Sequence, residues 1–186
     1  MLAFLAVRTN DKVGAILCSQ GAEKFIPPKK GAAHVWRLIK EVFTYLPKNA
    51  RTDLDASFSY LNRVVKRHAI VFLISDCQDV GFEKSLRLTA KKHELSVIRI
   101  SDPAEDELPD LGLVTLRDPE TGEVALLNTG SRELRDRWRR HRQARAAALS
   151  GLLKSAGVDL VELSTGGPVV EPLMRLFEGR KRRISA

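Results

Sequence analysis

The chain lacks the residues that would support a disulfide framework or a zinc site. Only two cysteines, Cys18 and Cys77, occur in 186 residues, and the four histidines are scattered without zinc-ligand spacing. Two isolated cysteines indicate reduced thiols, which are typical of the cytoplasm. A glycine-rich phosphate loop is missing as well. The sequence therefore predicts a cytoplasmic protein whose core does not depend on disulfides, zinc or a P-loop.

Long apolar runs are missing too. The apolar start of the chain covers residues 1–7, whereas a helix that crosses a bilayer needs about 20 such residues. We therefore expect no membrane span in this chain, and because the basic leader and cleavage site are also missing, no signal peptide. A hydrophobic content of 44% and a charged content of 29% are ordinary for a globular protein. The net charge of +8 suits acidic proteins, nucleic acid or a membrane surface and selects none of them.

Predicted strands and helices alternate along the chain. Strands are predicted at residues 13–18, 23–26, 70–75, 95–100 and 158–163, with a β-hairpin at 113–116 and 124–127. Amphipathic helices are predicted at 31–46, 53–67, 81–93 and 131–156, with a last helix from Pro168. This order predicts one α/β domain over residues 1–178, with three layers, a mostly parallel sheet and helices on both faces. Residues 179–186 are expected to form a basic, disordered tail.

A candidate site follows the most apolar of these strands. Residues 70–74 are five apolar residues in a row, which predicts a strand buried on both faces. Asp76 comes where this strand reaches the carboxyl edge of the sheet, the edge at which open α/β folds bind ligands. Thr52 precedes a helical pattern and is expected at the same edge. A carboxylate and a hydroxyl are ligand types for a hard divalent cation. We therefore predict Thr52 and Asp76 as metal ligands, with Asp53, Ser75 and Asp79 as binding residues beside them.

Several of these residues also have structural interpretations. Thr52 or Asp53 would serve as the N-cap of the following helix, and Asp53 and Asp79 suit first helical turns. Cys77 lies beside Asp76, but no histidine is near it in the sequence, so we do not expect a nucleophile. Residues 132–145 contain seven arginines interrupted by two acidic residues. This pattern favours a solvated helix face over a nucleic-acid surface.

Seven short segments occur in an order and spacing that point to a known family. They are Asn10–Gly14, Phe25–Pro28, Arg51–Leu54, Leu73–Asp76, Ser101–Pro103, Glu107–Pro109 and Asp118–Glu123. In this order they resemble the von Willebrand factor A-like fold and, within it, a bacterial family of unknown function, number fifty-eight in the domain-of-unknown-function series. Members of that family are often found beside MoxR-type AAA+ ATPases.

The resemblance implies a non-enzymatic protein-interaction module. Its expected partner is a MoxR-type AAA+ ATPase or another protein, in protein assembly or maturation, with no small-molecule substrate. Binding in this fold uses a metal-ion-dependent adhesion site, where Mg²⁺ is held by a Thr, matched by Thr52, and an Asp, matched by Asp76. A carboxylate of the partner protein often completes the coordination of the ion.

One part of the family's pattern is not found at its expected place. An Asp-x-Ser-x-Ser loop after the first central strand supplies further ligands in that fold. These letters occur at Asp55–Ser59, but inside a predicted helix, where the three side chains point to different sides. We therefore expect a truncated copy that lacks its first central strand, with an incomplete site and no tightly bound Mg²⁺ in this chain. That strand would lie between residues 13–18 and 70–75. The sheet then closes directly, takes in another segment, or leaves the chain partly molten.

Two other functions remain open at this stage. A metal-dependent phosphoryl-transfer enzyme would use Asp76 and Asp79, although enzymes of the haloacid dehalogenase type carry Asp-x-Asp after the strand and this chain has Asp76-Cys77-Gln78-Asp79. A basic nucleic-acid-binding domain would show binding that weakens steeply with salt.

Overall fold

The structure is a computed structural model that describes residues 1–118 and 120–184. Its contacts divide the chain into two compact units. Unit 1 comprises residues 1–66 and 79–85, and unit 2 comprises residues 67–78 and the chain from residue 86 onward. The expected single domain over residues 1–178 stays a prediction. Each unit is built from elements of both kinds, so the expectation of an α/β protein is confirmed.

Unit 1 combines a β-hairpin with helices. Its elements are α1 (Leu2–Arg8), β1 (Val13–Cys18), β2 (Ala22–Lys29), α2 (Ala32–Thr44) and α3 (Leu54–Val64). β1 and β2 pair antiparallel as a two-stranded sheet. The apolar faces of the two longer helices and of β2 supply its core, together with Phe82 from the segment 79–85. Buried members are Ile26, Val35, Leu38, Leu54, Phe58 and Phe82.

The second strand of this hairpin is longer than the sequence suggests. We expected it to end at residue 26, before Pro27 and Pro28, yet β2 continues to Lys29. Among the described strands β2 pairs with β1 alone, and a strand with a free edge tolerates residues that cannot donate a backbone hydrogen bond. The register shifts beside Gly14, where an added Cβ would lie 2.6 Å from the Ile26 carbonyl oxygen. Glycine therefore permits this close approach of the two strands.

Unit 2 is built on a parallel sheet. Its elements are β3 (Ile70–Ser75), most of α4 (Glu83–Lys92), β4 (Glu94–Ser101), α5 (Pro103–Asp106), β5 (Leu113–Arg117), β6 (Val124–Asn128), α6 (Arg132–Ser155), β7 (Asp159–Ser164) and α7 (Val170–Ile184). Three strands form the sheet in the order β3-β4-β7, all parallel. The expected hairpin is present as β5 and β6. The prediction of a parallel sheet accompanied by helices is confirmed in this unit.

The position of β3 differs from the expectation. We expected residues 70–74 to be buried on both faces, but Ile70 is 59% exposed and Ile74 is 56% exposed. Among the described strands β3 pairs with β4 only, so it is an edge strand of the sheet. The strand that is buried is β4, where Val97 and Ile98 are at most 2% exposed because partners lie on both sides. β1, which we expected in the same sheet, pairs with β2.

The C-terminal segment also differs from the expectation. We expected disorder from residue 179, but α7 continues through Ile184, and Arg180 is only 6% exposed. The Arg180 side chain is held by Glu94, Ser96 and Asp159, which explains why the helix does not end earlier. Residues 185–186 of the expected tail lie outside the described residues. Within the described chain, none of the helices has the length and apolarity needed to cross a bilayer.

Candidate functional site

The carboxyl edge of the unit 2 sheet carries polar residues after each strand. Asp76 follows β3, Asp102 follows β4, and Thr165 follows β7. Asp102 is committed to local structure: its Oδ1 accepts from the Ala104 amide at 2.8 Å and its Oδ2 accepts from Thr165 Oγ1 at 2.9 Å. These two donors, the amide foremost, lower the pKa of Asp102. Asp102 therefore caps α5 and ties the ends of β4 and β7 together.

Asp76 is the more accessible of the two carboxylates. Its Oδ1 accepts from the Gln78 amide at 3.2 Å and lies 3.4 Å from the Ser75 hydroxyl, which donates to it. Among the described residues no hydrogen bond or ion pair reaches Oδ2. The side chain is exposed, so this second oxygen faces no desolvation cost before it binds a cation. Asp76 therefore keeps one oxygen for an external ligand while the other fixes its orientation.

The turn after Asp76 is strained. Cys77 has φ = 57°, the left-handed region that residues other than glycine adopt at a cost of about 1–3 kcal/mol. The Cys77 amide donates to Ser75 Oγ at 3.0 Å, which helps to hold the turn. Burial, and then the charge of Asp76, raise the pKa of the Cys77 thiol to about 11. The thiol is therefore protonated at neutral pH, and a protonated thiol is a poor nucleophile.

The other candidate site residues lie in unit 1, at the start of α3. Asp53 is the N-cap, and its Oδ1 accepts from the Ala56 amide at 2.7 Å. Asp79 Oδ2 accepts from the Leu54 amide at 2.7 Å. Two carboxylates thus satisfy amides of the first turn of α3, and Asp53, rather than Thr52, is the cap. Thr52 directly precedes Asp53 in unit 1, whereas Asp76 belongs to unit 2. The shared site of Thr52 and Asp76 therefore stays a prediction.

The letters Asp-x-Ser-x-Ser lie inside a helix, as the sequence predicts. Residues 55–59 fall within α3, where Ser57 is buried and Ser59 is exposed. The Ser57 hydroxyl donates to the Asp53 carbonyl oxygen at 2.7 Å, which is a bond within the helix. Among the described residues, no group of three or more His, Cys, Asp or Glu side chains is arranged to hold a metal ion. The donor types present fit Mg²⁺ only as part of a larger ligand set.

A carboxylate in the hairpin holds the segment that leads to Thr52. Glu23 accepts hydrogen bonds from the Ser19 hydroxyl, from the Tyr45 hydroxyl at 2.6 Å and from the Lys48 amide at 3.0 Å. The Asp53 amide donates to the Ser19 carbonyl oxygen at 2.8 Å. These donors, Ser19 first and Tyr45 second, lower the pKa of Glu23 to about 2. Residues 45–53 are therefore anchored at one end by Glu23 of β2 and at the other by Ser19 of the β1–β2 turn.

This anchoring predicts a pH dependence. Because the folded-state pKa of Glu23 lies below its usual value, its ionised form stabilises the fold at any pH above about 4.5. That contribution is lost as the pH falls through the folded pKa of about 2. We expect the carboxyl ¹³C resonance of Glu23 to titrate near pH 2. In Tyr45→Phe, which removes one donor, the midpoint should rise; a Glu23 midpoint near that of an ordinary glutamate in the unchanged protein would contradict the assignment.

The arginine-rich helix α6 is paired with acidic residues, a feature that the sequence analysis missed. Arg135 Nη1 lies 3.0 Å from Asp110, Arg139 Nη2 lies 3.6 Å from Glu107, and Arg142 Nη2 lies 2.9 Å from Glu105. These arginines follow one another at intervals of four and three residues, so they lie on one face of the helix. That spacing, together with the acidic segment at 105–110, is the signal that would have predicted the pairing. We had expected this face of α6 to be solvated, whereas three of its arginines form ion pairs within the chain.

Comparisons with known proteins place the chain in a family. An uncharacterized protein of Mycobacterium bovis, Mb1516, is 28% identical over 184 residues, which cover 97% of this chain and 58% of that protein. An uncharacterized protein of Mycobacterium avium, MAV169, is 29% identical over 160 residues, which cover 84% of this chain and 94% of that protein. The chain thus spans a little over half the length of the Mycobacterium bovis relative.

Solved structures share the fold at low sequence identity. The crystal structure of the conserved hypothetical protein BatB from Bacteroides thetaiotaomicron matches all of this chain and 87% of its own, with a TM-score of 0.58 and 15% identity. An aerotolerance-related membrane protein from Bacteroides fragilis matches 84% of this chain and 73% of its own, with a TM-score of 0.50 and 15% identity. The family described as "Protein of unknown function DUF58" matches residues 1–148, and the chain belongs to it.

Proposed function

We propose that the chain is a von Willebrand factor A-like protein-interaction module that breaks no bond. Its partner would be a MoxR-type AAA+ ATPase, and its role would lie in protein assembly or maturation. The observation that carries this proposal is Asp76, an exposed carboxylate at the carboxyl end of β3 whose Oδ2 has no hydrogen-bond partner among the described residues. Open α/β sheets bind ligands at this edge.

Recognition would use a shared divalent cation. Asp76 would supply a carboxylate, and the hydroxyl predicted from the sequence is that of Thr52; both are oxygen ligands of the kind that Mg²⁺ prefers. The ion, when bound, would join Asp76 to a carboxylate of the partner. Because this chain supplies only part of the ligand set, we expect weak binding of Mg²⁺ to the chain alone and tighter binding in the presence of the partner.

The arginines of α6 support a protein partner over nucleic acid. Arg135, Arg139 and Arg142 are already paired with carboxylates of the segment 105–110. Phosphate groups would have to displace these internal partners, which removes much of the electrostatic gain of binding to nucleic acid. The positive net charge of the chain thus overstates the charge that α6 offers to a polyanion.

The proposal is tested by metal-dependent binding. The immobilised chain is presented with a purified MoxR-type ATPase from the same genome, in Mg²⁺ and in EDTA, and the Kd is measured by biolayer interferometry. We expect Asp76→Asn and EDTA each to weaken binding by about tenfold or more, the loss of one metal-bridged contact. Their effects should not add, because both remove the same bridge.

The matched control is Glu133→Gln, which removes an equal charge from an exposed position on α6. It should leave the Kd unchanged in both buffers. Binding by the unchanged chain that is equally strong in Mg²⁺ and in EDTA would reject the metal bridge. No detectable binding of the ATPase under either condition would reject this partner.

A further inference from the structure

The loop that carries Asp76 is tethered to two elements far away in the sequence. Gln78 Nε2 donates to Glu105 Oε2 at 3.0 Å, and Arg145 Nη2 of α6 donates to the Gln78 carbonyl oxygen. Both ends of the Gln78 residue, its side chain and its carbonyl group, are therefore fixed. The Gln78 amide in turn donates to Asp76 Oδ1 at 3.2 Å. A continuous chain of contacts runs from α5 and α6 to the candidate ligand.

Glu105 is itself held firmly. Its Oε2 accepts from Arg142 Nη2 at 2.9 Å, and its carbonyl oxygen accepts from the Trp138 indole at 2.8 Å. The Arg142 side chain is only 12% exposed and that of Glu105 is 43% exposed, so the guanidinium is shielded from water while the carboxylate is partly accessible. The two donors rise from one face of α6, four residues apart. Glu105 thus links Gln78 to α6, a long helix that fixes where the Glu105 carboxylate lies.

The turn between Asp76 and Gln78 requires such a support. Cys77 adopts a left-handed backbone conformation at φ = 57°, which a non-glycine residue keeps only where its surroundings hold it. The local contact from the Cys77 amide to Ser75 Oγ acts on the near side of the turn. The contacts of Gln78 with Glu105 and Arg145 hold the turn on the side that follows Cys77. Without them the turn would relax and the Asp76 carboxylate would lose its fixed orientation.

We propose that Glu105 and Arg145 are positioning residues for Asp76, which they orient through Gln78. This inference rests on the proposed function in so far as it gives Asp76 the role of a ligand. Neither Glu105 nor Arg145 contacts the ion. Their effect is to fix the Asp76 loop before a partner arrives, so that the carboxylate need not be ordered on binding.

Amide hydrogen exchange tests the support without any metal. In Glu105→Ala, exchange at the Gln78 amide should accelerate by about tenfold, the effect of losing one hydrogen bond. Arg145→Ala breaks the other tether and should act on the same amide. Glu105→Gln keeps an acceptor oxygen for Gln78 and should restore most of the protection. A structural role spread over the whole unit would instead change exchange throughout β3 and β4.

The control is Glu107→Ala, which removes the neighbouring carboxylate that pairs with Arg139 and does not touch Gln78. It should leave the Gln78 amide unchanged. Equal exchange in Glu105→Ala, Arg145→Ala and the unchanged chain would overturn the positioning role. Titration with Mn²⁺ separates the two proposals: if the Gln78 amide responds to Glu105→Ala but the ion broadens no resonance of residues 75–78, the support exists and Asp76 is not a ligand.

Discussion

Replacing Arg180 by alanine should lower the free energy of unfolding by about 3 kcal/mol. Arg180 Nε lies 3.3 Å from Glu94 and 3.6 Å from Asp159, and Nη2 donates to Ser96 Oγ at 2.6 Å. The guanidinium also lies over the Phe72 ring, with Cζ 5.2 Å from its centroid. The change would leave a buried hydroxyl without its donor and open space over the ring. Urea unfolding followed by circular dichroism measures the loss.

Arg175→Ala is the matched control, because Arg175 lies on the same helix but its side chain is 68% exposed. Among the described residues its one ion pair is with Glu171, one helical turn away at 3.6 Å, so the expected change is below about 0.5 kcal/mol. Arg180→Met separates packing from charge: it keeps an apolar chain over Phe72 and should recover part of the loss. Arg180→Ala with a midpoint equal to that of Arg175→Ala would show that α7 does not depend on this residue.

Replacing Leu86 by alanine should cost about 3 kcal/mol, within the range of about 2–5 kcal/mol for a fully buried leucine. Leu86 is 0% exposed. The loss combines the transfer of the removed carbon atoms to water with the cavity that they leave. The same urea experiment measures it, and the dependence of the free energy on urea concentration should keep its slope, because the fold itself is unchanged.

Leu88→Ala provides the comparison on the same helix. Leu88 is two residues further along α4 and is 57% exposed, so its truncation removes little buried surface. We expect its free energy of unfolding to stay within about 0.5 kcal/mol of the unchanged chain. If the two variants unfold at the same urea concentration, the burial of Leu86 assigned here is wrong.

The elements of the fold were predictable because each carries its own local signal. The helix at Leu54–Val64 has a carboxylate cap and an apolar stripe, and the strand at Ile70–Ser75 is a continuous apolar run. Which strands pair with one another was harder to predict from the sequence. An apolar run looks the same in a central strand and in an edge strand, so the sequence did not reveal that Ile70 and Ile74 are exposed. Partner choice depends on contacts between distant residues, which periodicity does not record.

The candidate site shows the same division. The position of Asp76 after β3 followed from the strand that precedes it, and the structure agrees. Asp53 was one of the two predicted caps of α3, and it is the cap. Asp79 was predicted as a first-turn helix acid, and its contact with the Leu54 amide was not foreseen because it joins residues 25 apart. Glu105 was missed altogether: in the sequence it is one of several acids in an irregular segment. The expectation of disorder from residue 179 did not take into account that Arg180 lies beside two carboxylates, those of Glu94 and Asp159.

The register between β4 and β7 bears on how unit 2 assembles. Ser96 is aligned with Asp159, so these neighbours are separated by 63 positions along the polypeptide. Bringing such distant stretches together costs entropy before any ladder bond compensates for it. The hairpin of β5 and β6 and the helix α6, which lie within the intervening stretch, need only nearby residues to form. They should therefore appear early, and acquisition of the third strand should set the pace of folding.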